Sequence, residues 1–182
     1  MQIINTKIAD VKIIEPDVYG DDRGFFLETF SEERYRQALG IEASFVQDNH
    51  SRSQQHVLRG LHFQTDHPQG KLVRTVTGEI FDVAVDIRPK SPTFQQWVGV
   101  LLSASNKRQL WIPAGLAHGF VVLSEHADFE YKCTEYYDPS SEQCIIWNDP
   151  DIDIQWPIEH PILSEKDKQG KRLADWLDEI DL

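Results

Sequence analysis

Phe81-Asp82-Val83-Ala84-Val85-Asp86-Ile87 sorts its side chains in alternation, because successive residues of an extended chain point to opposite faces. Phe81, Val83, Val85 and Ile87 share one face, and Asp82, Ala84 and Asp86 the other. The segment therefore reads as a strand. An acidic face turned outward is ordinary solvated charge, whereas turned into a small barrel it lines a ligand cavity and makes Asp82 a supporting residue of a site. The same period-2 pattern recurs on both sides of it, in Val11 to Ile14, Phe25 to Phe30, Ser44 to Asn49, Val57 to Phe63, Leu72 to Val76, Trp97 to Leu102, Arg108 to Ile112, Phe120 to Leu123 and Phe129 to Thr134. Short strands closely spaced by Gly, Pro, Asn and Asp predict an all-β sandwich or barrel.

Helical signals are confined to two places. Ser31 precedes Glu32 and Glu33, and Leu39-Gly40 closes the run, which predicts a short helix with acids in its first turn. From Leu163 onward, Ser164-Glu165-Lys166-Asp167 caps a turn, and Leu173, Trp176, Leu177 and Ile180 recur at helical spacing, predicting a C-terminal helix packed on the barrel.

The 182 residues suit one domain, residues 1–182, and neither a repeat nor a low-complexity linker interrupts them. With 18 Lys and Arg against 30 Asp and Glu, the formal charge is −12. That balance disfavours nucleic acid and anionic membranes as partners, so any phosphate ligand needs a local basic cluster. Met1 to Asp10 has no signal-peptide pattern and no apolar run is long enough to span a bilayer, so the expected location is the cytoplasm. Cys133 and Cys144 are the only cysteines and are expected to be buried, reduced thiols.

Two histidine-bearing segments carry the chemistry: Arg59-Gly60-Leu61-His62-Phe63-Gln64 and Pro113-Ala114-Gly115-Leu116-Ala117-His118-Gly119-Phe120. Strict alternation puts Arg59 and His62 on opposite faces, while an anion site beside a base needs both inside. A bulge at Gly60 reconciles the two. A lone histidine is more often structural than catalytic, and Tyr131, on the apolar face with Phe129 and Cys133, reads by itself as a packed ring.

Pro113 to Phe120 resembles the second motif of the cupin superfamily, small β-barrels that often bind a metal. In the first motif, metal-binding cupins place a His-x-His pair and a Glu, whereas here His62 is followed by Phe63 and Gln64, with His67 further on. Such a donor set is incomplete, and no catalytic metal is expected.

Further blocks stand in order: Gly20-Asp21-Asp22-Arg23-Gly24-Phe25-Phe26, Phe45-Val46-Gln47-Asp48-Asn49-His50, Gly70-Lys71-Leu72-Val73-Arg74, Tyr131 to Tyr137 and Ser164 to Asp167. With the two histidine segments they resemble the dTDP-4-dehydrorhamnose 3,5-epimerase family, over Val18 to about Asp167. The resemblance implies a cupin-like jelly-roll β-barrel and an isomerase that needs no cofactor. It would invert C3 and C5 of dTDP-4-dehydro-6-deoxy-D-glucose, both flanking the C4 ketone, by proton transfer through an enolate.

By the same resemblance His62 is the base, Asp167 its carboxylate partner and Tyr131 the proton donor. Lys71 and His118 lie near the sugar, and Arg23 and Arg59 on the diphosphate. Glu28, Gln47, Asp48 and Asn49 surround the nucleotide, Tyr137 stacks on the base, and Glu142 and Lys166 complete the binding positions. The family's N-terminal strands cross to a second subunit, which implies a homodimer. Competing readings are a single-centre epimerase or ketoisomerase on a dTDP-sugar, a metal-dependent cupin enzyme, and a sugar-binding barrel without catalysis.

Overall fold

The computed structural model describes residues 1–177. In chain order the elements are β1 (Gln2–Asn5), β2 (Lys12–Glu15), β3 (Val18–Asp21), β4 (Gly24–Leu27), α1 (Glu32–Leu39), β5 (Gln47–Gln54), β6 (Leu58–Gln64) and β7 (Lys71–Thr77). There follow β8 (Glu79–Asp86), β9 (Trp97–Ser103), β10 (Gln109–Ile112), β11 (Leu116–Val122), β12 (His126–Cys133), β13 (Glu142–Cys144), α2 (Glu165–Lys168) and a 3-10 turn over Leu173–Trp176. A six-stranded sheet, β1-β2-β10-β7-β12-β5, faces a five-stranded sheet, β13-β6-β11-β8-β9. β3 and β4 pair only with each other, as a separate hairpin. Sequence patterning located the body of this jelly roll but missed β1, β3 and β13, each of three or four residues and too short to show a period.

Three apolar layers follow from the two sheets. Between them Val73, Ile80, Ala84, Val98, Leu110, Phe120 and Phe129 form the central core. On the outside of the five-stranded sheet, Val83, Val85 and Ile87 meet Ile152, Ile154, Leu173 and Trp176 of the C-terminal segment. On the outside of the six-stranded sheet, Leu72 and Trp111 are covered by Tyr35 of α1. β8 is thus buried on both faces. Its apolar side is roofed by the chain's tail, and its other side, carrying Ala84 with Asp82 and Asp86, turns toward the interior.

α1 stands where Ser31 and Gly40 predict it, with Gly40 in the left-handed region at φ 67° and its N–H on the Arg36 carbonyl. Among the described residues the tail holds the capped turn, one turn of α-helix over Glu165–Lys168, then Gly170 and a bridge from Lys171 to Ile145, then a turn of 3-10 helix over Leu173–Trp176. Polar anchors fix that second turn: Leu173 N donates to Asp149 at 2.7 Å and Trp176 Nε1 to the Cys144 carbonyl at 3.3 Å. Leu173 and Trp176 are buried, Leu177 is exposed, and Ile180 lies outside the described residues.

Asp86, fully buried at the end of β8, accepts from Arg88 Nε (2.9 Å), Ser91 Oγ (2.6 Å) and Thr93 Oγ1 (2.6 Å). Burial pushes its pKa up, but the Arg88, Ser91 and Thr93 hydrogen bonds outweigh that and bring it down to about 2. Because the unfolded chain then binds the proton more tightly, the stabilisation is complete above about pH 4 and is lost as pH falls through 2. Asp86→Asn is expected to lower unfolding free energy at neutral pH by about 2 kcal/mol and to flatten the loss of stability on acidification. Urea titrations at pH 7 and pH 3 check this, and an acid limb as steep as wild type would contradict it.

Candidate active site

The bulge at Gly60 builds the site. His118 pairs with His62 and Phe120 with Arg59, so β6 carries one more residue than β11 across this stretch. Gly60 takes φ 121°, and a Cβ there would stand 2.6 Å from Gly119 Cα. No side chain fits, and the extra residue brings Arg59 and His62 to one cleft while Leu61 packs into the apolar layer beneath the tail. The cleft, of about 350 Å³, is lined on its reactive side by Arg59, His62, Lys71, His118, Tyr131 and Glu142.

His62 Nε2 lies 2.6 Å from Asp167 Oδ1, across 105 residues of sequence. Asp167 is placed by its own turn, where Ser164 caps α2: its Oγ accepts from Asp167 N at 3.1 Å and donates to Oδ2 at 2.7 Å. The freed N–H of Gly60 donates to Oδ1 at 3.4 Å. Burial raises the Asp167 pKa, but the hydrogen bonds from His62 and Ser164 outweigh it and hold the carboxyl below its ordinary range. With Nε2–H donating to this carboxylate, the Nδ1 lone pair of His62 is left to accept a proton. Nδ1 faces Glu142, 3.9 Å away.

A second imidazole–carboxylate pair lies deeper. His118 Nε2 is 3.0 Å from Asp82 Oδ2, and the ring stacks on Phe129 with centroids 6.0 Å apart. The acidic face of β8 is therefore an interior face that orients a site histidine. Burial holds the Lys71 ammonium below the usual lysine range, with Cys133, Glu142 and Asp82 pulling the other way. Burial, with Cys133 and Glu142 nearby, raises the Tyr131 phenol, which stays protonated at neutral pH.

At the cleft's mouth, Glu142 accepts from the Tyr137 hydroxyl at 2.6 Å and from Lys166. The Glu142 hydrogen bond, reinforced by burial, pushes the Tyr137 pKa to about 12. Gln47 bonds Asn49 at 3.0 Å and takes the Tyr137 N–H at 2.9 Å, placing the start of β5 against the same wall.

The family model for dTDP-4-dehydrorhamnose 3,5-epimerase matches residues 5–175. A protein of that name from Pseudomonas aeruginosa is 60% identical over 176 residues, 96% of this chain and 97% of its own. The chain belongs to the dTDP-4-dehydrorhamnose 3,5-epimerase family. A solved Legionella pneumophila dTDP-6-deoxy-D-glucose-3,5-epimerase, in complex with dTDP-4-keto-L-rhamnose, superposes with a TM-score of 0.93 at 60% identity, covering 95% of this chain and 93% of that one. A 3′-monoepimerase from Streptomyces bikiniensis, solved with dTDP-quinovose, is more distant at 34% identity and a TM-score of 0.88, covering 94% and 88%.

Against the family expectation, Gln47, Asn49, Arg59, His62, Lys71, His118, Tyr131, Tyr137 and Glu142 line one cleft, with Asp167 behind His62 and Lys166 on Glu142. Arg23, Glu28 and Asp48 do not line it. Arg23, at the tip of the β3–β4 hairpin, is 90% exposed and paired with Asp21, and Glu28 is held by Arg34 at 2.8 Å. Asp48 points to the other face of β5 from its neighbours and binds Lys132 at 2.9 Å. Ser51, Phe120 and Phe129 line the cleft without having been singled out. Ser51 was readable, since Gln47, Asn49 and Ser51 alternate on one face. Both cysteines are free and buried, as their small number suggested, and no helix among the described residues is long and apolar enough to cross a membrane.

Proposed function

We propose that this epimerase-family chain inverts C3 and C5 of dTDP-4-dehydro-6-deoxy-D-glucose, with His62 as the base and Tyr131 as the acid. The observation that carries this is the 2.6 Å His62–Asp167 pair, opening with Tyr131 into one cleft. His62 Nδ1 takes the proton from C3, and in a second round from C5. Asp167 holds the imidazolium that forms. The C4 oxygen gains negative charge, which a cation or N–H donor from Lys71 and His118 stabilises. Tyr131 returns a proton to the opposite face of the carbon, and before the second round its phenolate is reprotonated from solvent and the His62 imidazolium gives its proton up to solvent.

None of these steps calls on a redox cofactor, and the donors differ from the His-x-His and Glu set of metal cupins, since His118 is turned to Asp82 and His62 to Asp167. The sugar-4-ketone is incubated with the protein and read by NMR coupling constants; a product inverted at both centres is expected. Inversion at one centre would support the single-centre reading instead.

Arg59, held on Ser53 Oγ at 3.0 Å, is assigned to the diphosphate. Arg59→Ala is expected to weaken dTDP binding by about 1.5–3 kcal/mol, the range for hydrogen bonds to charged groups. Calorimetry with dTDP checks it, and unchanged affinity would remove Arg59 from the site.

Arg23 and Glu28 belong in this reading to a partner's site. The hairpin that carries Arg23 exposes Val18, Tyr19, Phe25 and Phe26 and forms no ladder with either sheet, as expected of a segment that crosses to a second copy in a homodimer.

A further inference from the structure

The side of the His62–Asp167 pair away from substrate holds a third potential ligand. Cys144, at the end of β13, is paired in register with His62 across β6, and its Sγ stands 3.9 Å from Asp167 Oδ1. The sulfur, a His62 ring nitrogen and an Asp167 oxygen all lie within 4.8 Å of one another. Cys144 and Asp167 are buried, while His62 is open to the cleft. Ligand atoms on one tetrahedral zinc ion stand roughly 3.2–3.8 Å apart, given bonds of about 2.0–2.3 Å. The Cys144–Asp167 separation of 3.9 Å is close to that range, while the 2.6 Å His62–Asp167 separation has to open by roughly 0.6–1.2 Å and the widest separation, up to 4.8 Å, to close by about 1 Å as an ion replaces the shared proton.

We infer that Cys144, His62 and Asp167 form an inhibitory site for a thiolate-preferring divalent ion of the zinc class. Sulfur and imidazole select against Mg²⁺ and Ca²⁺, which take oxygen ligands. The ion takes the Cys144 thiolate, whose proton leaves to solvent, together with an Asp167 oxygen, the Nε2 lone pair of His62 and a water. The Nε2 proton is replaced by one on Nδ1, the nitrogen that must be vacant to accept the substrate's proton. The inhibitory consequence rests on His62 being the base; binding of the ion does not.

Chelator-treated enzyme should turn over fully, lose activity as zinc is added, and recover on addition of EDTA. Cys144→Ala should keep its turnover but need about tenfold or more zinc for half-inhibition, tenfold being about 1.4 kcal/mol. Cys144→Ser is the fallback should the alanine variant fold poorly. A readout independent of turnover is cobalt(II), expected to show a thiolate-to-metal charge-transfer band in wild type and none in either variant. No such band, or zinc inhibition equally strong in wild type and variant, would overturn the site. A cobalt band without zinc inhibition would uphold the site and overturn His62 as the base.

Discussion

His62→Ala should all but abolish deuterium entry into the substrate at both C3 and C5, the largest effect expected of any single change. Loss of a positioned general base slows proton abstraction by about 10²–10⁴-fold, and one base serves both carbons, so the two sites fail together. The fold should survive. β6 keeps its backbone ladder with β11 and β13, and Asp167 retains its bonds from Ser164 Oγ and Gly60 N. Asp167→Asn should be impaired less completely, since the amide oxygen still accepts from Nε2–H but supplies no charge to stabilise the imidazolium. Exchange read by mass spectrometry in heavy water checks both variants. A wild-type rate in His62→Ala would move the base to the other imidazole–carboxylate pair, His118 and Asp82, 3.0 Å apart in the same interior.

Tyr131→Phe should separate the two halves of the reaction. The ring packs beside Phe129, with centroids 5.5 Å apart, and Phe keeps that contact, so stability should change little. With the acid gone, His62 still removes a proton and returns a deuteron to the face it left. Substrate hydrogen therefore continues to exchange while inversion slows by about 10²–10⁴-fold, the usual contribution of a positioned acid. Deuterium content by mass and configuration by coupling constants, read on one sample, test this. Inversion at the wild-type rate would reduce Tyr131 to a packed aromatic.

Much of this site was legible in the sequence, for particular reasons. Gly60 interrupts a strand between two residues that need the same side, which signals a bulge, and the bulge is there. Ser164 and Asp167 stand at capping distance, and that cap aims the carboxylate. The alternation of β8 separated its acids from its apolar residues, yet it gave no direction of burial, because the tail covers the face that another fold would leave to solvent.

What remained hidden depends on long-range pairing. Glu142 and Cys144 reach His62 on a three-residue strand with no readable period. The Asp82–His118 pair joins residues 36 positions apart, and neither segment alone identifies the other. Nor does helical spacing from Leu173 show that the described part of it is a 3-10 turn held by the Asp149 carboxylate and the Cys144 carbonyl. Nor does local pattern show that the hairpin bearing Arg23 stands apart from its own barrel, that Glu28 beside it is held by Arg34, or that Lys132 holds Asp48 on the other face of β5.

The central claim, one base and one opposed acid acting at both carbons beside the ketone, is tested most directly with the wild-type enzyme. dTDP-4-dehydro-6-deoxy-D-glucose is converted in heavy water and the product examined by NMR for deuterium and configuration at C3 and C5. The account predicts one solvent-derived deuterium at each carbon and inversion at both. Inverted product that retains its original hydrogen at either carbon would contradict it.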